Sequence, residues 1–487
     1  MKRLRGTDAY AIYSETPTSP FVTLKVAIYR PTPGNDSPKA GELRRFISDN
    51  IAGVGGDRAA LRVVRVPFDL HHPVWIRAPG FAADDHIHEM ALEAPGNRAQ
   101  LCDALSELMG KPLDYDRPLW EVWIINGLED GRVAIALKMQ HALADGNAMS
   151  RLIEQSHSDS AEPGPAAITS AAEIEEESLP GKARLVAGAL VDLARSYTAE
   201  LPRFRQYLKQ ARRKAEVIKE KADQIVPPFS APHTVLNEKA GGAERIYRYE
   251  SFALADIKSL AKILDCTINT LVLGICSEAL KRYLAELDAL PGESLIAAMP
   301  VGGGVGMGLE RLLDSDIHNN NLAVAVLPLH QDIPGFSERI AAIKASVEAA
   351  IDHVRHDEGR RFDNYLDFLP GTAIRMINAS MYRRQRKKQN PHANVIISNV
   401  MGPRKTLYAL DGRLQMEELL SVGNLMDTGH LNITVWSYND RFAFSFLMRK
   451  GGMREPERLL LHLRQVMAEL TSSYLDNPQD FRSQHPA

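Results

Sequence analysis

One short string in this chain combines residue types that do acid–base chemistry: Gln140-His141-Ala142-Leu143-Ala144-Asp145-Gly146. An imidazole titrates near neutral pH, so His141 can take a proton from a hydroxyl and return it to a leaving group. Asp145 stands four residues on, where it can orient a partner or hold the loop by pairing with an arginine. Gly146 permits backbone angles and close approach that other residues resist. Taken alone, a His followed by Asp-Gly is a weak signal, because most histidines are packed or solvated. No cysteine lies beside the string to suggest a covalent intermediate.

The string follows a strand reading over Val133 to Met139, and a strand end holds a catalytic group in a defined place. Just upstream, Trp120 to Ile125 reads as the partner strand across the turn Glu129-Asp130-Gly131. Further strands are read over Phe21 to Tyr29 and Leu61 to Val66, with helices over Lys39 to Ile51, Arg98 to Leu108 and from Gly146 onward. From Ser156 to Gly181 the composition turns to Ser, Ala, Pro, Gly and acids, as in a linker. A helical stretch then runs from Lys182 to Ile225 and ends at Pro227-Pro228.

The second half repeats the mixed pattern. Strands are read over Arg245 to Phe252, Ser294 to Met299, Asn321 to Val326, Ala393 to Ser398, Leu431 to Trp436 and Phe442 to Met448. Helices are read over Ala255 to Leu264, Thr267 to Leu284 (with Thr267 as its cap), Ser337 to Val354 and Glu455 to Leu470. The expected organisation is an α/β fold of two similar lobes around a cleft. The N-terminal lobe covers 1–155, the linker and basic helical segment 156–232, and the C-terminal lobe 233–487.

With 487 residues, 58 basic against 61 acidic side chains and a net charge of −3, the chain has no globally basic face for nucleic acid. Three cysteines cannot make a disulfide framework or a four-thiolate zinc site, and a reducing compartment is the default. The start does not read as a secretory signal, and the apolar windows near Leu295 to Leu309 and Leu322 to Leu329 are too short to span a bilayer. No His, Cys and carboxylate set has metal-ligand spacing.

Around the string lie Pro112-Leu113-Asp114, Arg117-Pro118-Leu119-Trp120 and, far along the chain, further ordered motifs. They include Glu15-Thr16-Pro17, Asp85-His86, Leu236-Asn237, Thr267-Ile268-Asn269-Thr270, Met299-Pro300-Val301, Asn320 eight residues before Pro328, Ser398 to Pro403, Leu431 to Thr434 and Ser437-Tyr438. Over nearly its whole length the chain resembles the bacterial wax ester synthase/diacylglycerol acyltransferase family, within the CoA-dependent acyltransferases. That superfamily's signature is His-His-x-x-x-Asp-Gly, with the second His catalytic. Here Gln140 replaces the first His and His141 keeps the second. Thr270, Asn319 and Met401 replace the family's Asp, Gly and Pro.

The resemblance implies two chloramphenicol-acetyltransferase-like lobes of mixed sheet and helices, joined by the linker. It implies transfer of a long-chain acyl group from acyl-CoA to diacylglycerol, a fatty alcohol or both, with acyl-CoA as co-substrate, no other cofactor and no metal. His141 is then the base. Asn269 is the candidate oxyanion donor, or only a helix cap. Asp145 joins His141 and Asn269 in the catalytic set, as part of a charge relay or as a structural residue, and Gln140, Gly146, Thr270 and Asn399 support the motif. Glu15 is either a further site residue or the partner of a basic side chain. Pro118, Leu119 and Trp120 either pack behind the motif or wall an acyl channel. The alternatives are another hydrophobic acceptor, or a lipid-binding protein on an altered scaffold, a reading that Gln140 and Thr270 keep open.

Two basic runs, Arg203 to Lys221 and Arg383-Arg384-Gln385-Arg386-Lys387-Lys388, are solvated faces, a site steering CoA phosphates or a surface for anionic lipid. The expected location is cytoplasmic, peripheral to the inner membrane face or to lipid droplets, without nucleic-acid partners.

Overall fold

The computed structural model describes residues 2–51, 59–143, 146–162, 179–195, 226–227, 229–238, 241–302, 322–356, 366, 369–386, 390–425 and 429–476. Asp145, the acidic linker over 163–178, the Arg203 to Lys221 run, Asn319-Asn320 and Lys387-Lys388 lie outside the described residues.

The first half contains β1 (Lys2–Arg3), α1 (Gly6–Ser14), β2 (Val22–Pro31), α2 (Ala40–Asn50), β3 (Leu61–Val64), β4 (Val74–Arg77), β5 (Ile87–Ala91), α3 (Arg98–Gly110), β6 (Trp120–Asn126), β7 (Val133–Gln140), α4 (Gly146–Gln155) and α5 (182–195). The second contains β8 (Arg245–Ala253), α6 (Leu254–Ile263), α7 (Ile268–Glu286), β9 (Ile296–Gly302), β10 (Leu322–Pro328), α8 (Phe336–His356), α9 (Gly371–Arg386), β11 (Val395–Met401), β12 (Tyr408–Ala409), β13 (Leu414–Val422), β14 (Leu431–Tyr438), β15 (Arg441–Arg449) and α10 (Pro456–Leu470).

Two six-stranded mixed sheets carry the molecule. Their orders are β12-β13-β2-β7-β6-β5 and β10-β9-β11-β14-β15-β8. A small third sheet has the order β1-β4-β3. β2 is buried from Val22 to Tyr29, as suits an inner strand covered on both faces. Its neighbour β7 pairs with it antiparallel, Val22 opposite Gln140, so the acid–base string leaves the sheet from an inner position.

The sheets do not divide at the linker. β13 comes from the C-terminal segment, yet pairs antiparallel with β2, so a division at residue 232 does not separate the two sheets along the chain. β13 is absent from the sequence reading. A bulge between Met416 and Glu418 breaks its in–out alternation, which was the only local signal available.

Helix starts follow their local chemistry. Asn97 and Gln100 form a reciprocal capping box on α3, with bonds of 3.1 and 3.0 Å. Thr267 Oγ1 accepts the Thr270 N–H at 3.1 Å and caps α7. The two halves also interlock through side chains. Tyr247 N–H donates to Ser106 Oγ at 2.7 Å, and Arg245 and Arg449 both donate to the Thr18 carbonyl. No single described helix is long and apolar enough to cross a membrane. α6 and α7, the most apolar adjacent pair, instead form the core of the second sheet's lobe through Ile257, Leu260, Leu271, Val272 and Ile275.

Candidate active site

Backbone bonds set the motif's path. Gln140 N–H donates to the Leu119 carbonyl at 2.9 Å, and His141 N–H donates to the Phe21 carbonyl at 3.1 Å. Leu143 N–H then closes a turn on the Gln140 carbonyl at 3.0 Å. The His141 ring meets the Phe21 ring edge to face, with centroids 5.9 Å apart. His141 is thus held through its main chain by the segment leading into β2, while its imidazole is half-exposed.

Gln140 is fully buried. Its Oε1 accepts the Ala142 N–H at 2.5 Å, which tightens the turn. Its Nε2 faces the Glu15 carboxyl without closing a well-formed hydrogen bond to it. The carboxylate that the Gln140 amide acts on is Glu15, which follows the last residue of α1. Tyr115 Oη donates to Glu15 Oε2 at 2.9 Å. Burial pushes the Glu15 carboxyl above its ordinary value, against the opposing pull of Tyr115, the Gln140 amide, the Phe21 N–H and Arg65. Burial also raises the Tyr115 phenol, which keeps it a donor. One residue therefore links two candidates: the Phe21 N–H faces Glu15 and its carbonyl holds His141.

Behind the motif, Lys138 is buried beside Glu121 at 3.7 Å, and burial lowers its ammonium from the usual lysine value. Lys138 and Gln140 share one face of β7, so the polar line from Glu15 runs back along the strand.

The other candidates fall as follows. Gly146 opens α4, and α4 packs against β11, the strand of half-buried Asn399, so the motif helix and the Ser398 to Pro403 segment face one another across the sheets. Gly402 must be glycine, since a Cβ there would overlap Trp436 Nε1 and the Ser437 carbonyl. Asn269 does not cap α7; Thr267 does, because its hydroxyl reaches the free N–H of Thr270. The Asn269 amide instead donates to Met299 Sδ at 2.9 Å. Thr270 is buried with its hydroxyl 2.9 Å from that of Thr267. Among the described contacts, neither meets His141.

Pro118, Leu119 and Trp120 are all buried. Leu119 lends its carbonyl to Gln140, and the Trp120 indole donates to the Ala59 carbonyl at 2.7 Å and stacks on His86 at 4.5 Å. Glu15 accepts from the Tyr115 phenol, with the Arg65 charge near enough to act on its carboxyl. Tyr115 and Phe21 were not singled out from sequence. Tyr115 stands inside the Asp114 to Trp120 string, and that adjacency was its one available signal. No group of three or more His, Cys, Asp or Glu among the described residues is arranged to hold a metal ion.

Comparison with known proteins then fits both the fold and the motif. Residues 4–272 match the wax ester synthase/diacylglycerol acyltransferase catalytic domain, and residues 318–471 the C-terminal domain of the same family. The O-acyltransferase WSD of Acinetobacter baylyi is 31% identical over 453 residues, covering 90% of this chain and 91% of that protein. A Mycobacterium tuberculosis protein named as a diacylglycerol O-acyltransferase is 30% identical over 460 residues, covering 94% of this chain and 93% of its own length. The solved wax ester synthase/diacylglycerol acyltransferase of Marinobacter aquaeolei superposes with a TM-score of 0.69 at 24% identity, over 97% of this chain and 99% of that one. The first condensation domain of the CDA synthetase shares the fold at a TM-score of 0.57 and 15% identity, over 97% and 96% of the two chains.

Proposed function

The chain belongs to the wax ester synthase/diacylglycerol acyltransferase family, and from that premise we propose that it transfers a long-chain acyl group from acyl-CoA to diacylglycerol, a fatty alcohol or both, with His141 as general base. At the family level the activity is acyl-CoA-dependent O-acyl transfer. The observation that carries the assignment is the placement of His141 at the exit of β7, pinned to Phe21 and half-exposed.

His141 takes the proton of the acceptor hydroxyl as its oxygen forms a bond to the thioester carbon. The carbonyl π pair moves to oxygen, giving a tetrahedral oxyanion. As the carbonyl re-forms, the C–S bond breaks, and His141 returns the proton to the departing CoA thiolate. No acyl-enzyme, metal or prosthetic group enters this sequence. We assign the oxyanion donor to Asn269: its amide now rests on a thioether, a weak acceptor, and gives up little on turning to an anion. The family resemblance gives Asp145 a supporting role beside His141. A cytoplasmic protein peripheral to membrane or lipid droplets suits acceptors of this hydrophobicity.

The test is thiol release from palmitoyl-CoA with dioleoylglycerol or hexadecanol, for the native protein and His141→Ala. Acceptor-dependent release that falls by about 10²- to 10⁴-fold in the variant is expected. Equal release by both proteins would remove His141 as the base. Ligand binding with no release from any of a panel of acceptors would favour a lipid-binding role instead.

A further inference from the structure

Phe68 is 83% exposed and sits at φ 60°, ψ 14°, in the left-handed region that aromatic residues avoid. The chain thus spends conformational energy to hold an aromatic ring in water. Beside it, Asp69 pairs with Arg375 of α9 at 2.6 Å. The two residues after Arg375 are Met376, 72% exposed, and exposed Ile377. The ion pair therefore ties the Phe68 turn to α9, the helix that carries the other two exposed apolar side chains.

The same helix supplies charge. Arg383, two turns beyond Met376 and on its face, is exposed, and the sequence continues with Arg384, Arg386, Lys387 and Lys388. Arg383 thus puts a cation on the helix face of Met376, in a stretch of sequence that is dense in cations for a chain of net charge −3. Apolar side chains flanked by cations match a layer of acyl chains under anionic headgroups.

The helix also packs on the segment that leads to Glu15. Asn378, the next residue of α9, donates to Ser14 Oγ at 3.3 Å, and Gly371 packs against Tyr13. Ser14 ends α1, and Glu15 follows it.

We propose that Phe68, Met376 and Ile377, with Arg383 of α9, form a face that docks on an anionic phospholipid surface over the end of α1 that carries Glu15. Docking there sets the protein on the lipid phase that holds a hydrophobic acceptor. That last consequence rests on the acyl-transfer reading; the docking itself does not.

The test is co-sedimentation with vesicles of phosphatidylcholine alone and of equimolar phosphatidylcholine and phosphatidylglycerol. The native protein is expected to pellet with the mixed vesicles and to be released by salt. Phe68→Asn combined with Met376→Ser and Ile377→Ser is expected to weaken partition by at least about tenfold. Phe68→Asn alone is expected to keep or raise Tm while binding falls, because asparagine tolerates the left-handed region. Arg383→Glu is expected to weaken partition about five-fold or more.

The proposal fails if the native protein ignores the mixed vesicles or binds both kinds equally. It fails too if the triple variant partitions like the native protein. If the triple variant converts a dimer to a monomer on a sizing column without touching vesicle binding, the patch meets a second copy and the proposal is overturned. Vesicle binding is read without turnover, so it stands or falls separately from the activity.

Discussion

Glu15, Tyr115, Gln140 and His141 come together although 126 positions separate the first from the last. Burial raises the Glu15 carboxyl, so ionising it works against folding. The native state then holds its proton to higher pH than the unfolded chain does. Stability falls as pH rises from the ordinary glutamate range through the raised folded value, and stays lower above it. Glu15→Gln is expected to abolish that loss, read as a smaller fall in Tm between pH 4.5 and 7 than in the native protein. His157 gives the opposite limb. Its Nδ1–H donates to the Ile153 carbonyl at 2.8 Å and its Nε2 accepts from Tyr29 Oη at 2.7 Å, so the buried ring is neutral. Burial lowers its pKa to about 4. Stability is full above pH 6.5 and is lost as pH falls towards 4, by about 3 kcal/mol at most. His157→Phe, which keeps a ring against Tyr29, is expected to flatten that acid limb in a denaturation series. His141 was legible in the sequence, because its neighbours form a motif. The Tyr115 link was not, since a phenol–carboxylate bond between residues 100 positions apart leaves no local pattern.

Helix caps and close approaches act over single elements. Thr267 is the cap of α7, which runs through the core of the second lobe. Thr267→Ala is expected to destabilise by about 1 kcal/mol in chemical denaturation. Gly402 ends the Ser398 to Pro403 motif against Trp436, whose buried Nε1 has no partner among the described residues. Gly402→Ala must displace either the indole or the Ser437 backbone. A loss of about 2 kcal/mol or more is expected in the same assay. The long, evenly patterned elements were readable: α2, α3, α7, α8, β2, β7 and β15 start and end within a few residues of the sequence reading. α1, β4, β5, β13 and α9 were not. They are short, bulged or, in α9, dominated by a basic run that masks the apolar side of the helix.

The whole molecule is held together by an exchange between halves. β13 returns from the C-terminal segment to lie beside β2, and Lys25 on β2 donates to Ser421 on β13 at 2.6 Å and lies 5.1 Å from the Trp436 ring. Residues 1–232 expressed alone would leave β2 with an open, apolar edge. That fragment is expected to aggregate or to lack cooperative thermal unfolding, unlike the full chain. A sharp independent transition in the fragment would contradict the exchange. The sequence by itself determined the two-lobed α/β class, the position of the acid–base string at a strand end and the family resemblance, because each is carried by residues adjacent in the chain or by periodic burial. The tertiary structure sets which strand completes the first sheet, puts a phenol and a glutamate beside the motif and ties the Phe68 turn to α9. Those depend on pairings between distant segments, which are selected by the packing of the whole core and leave no trace in local spacing.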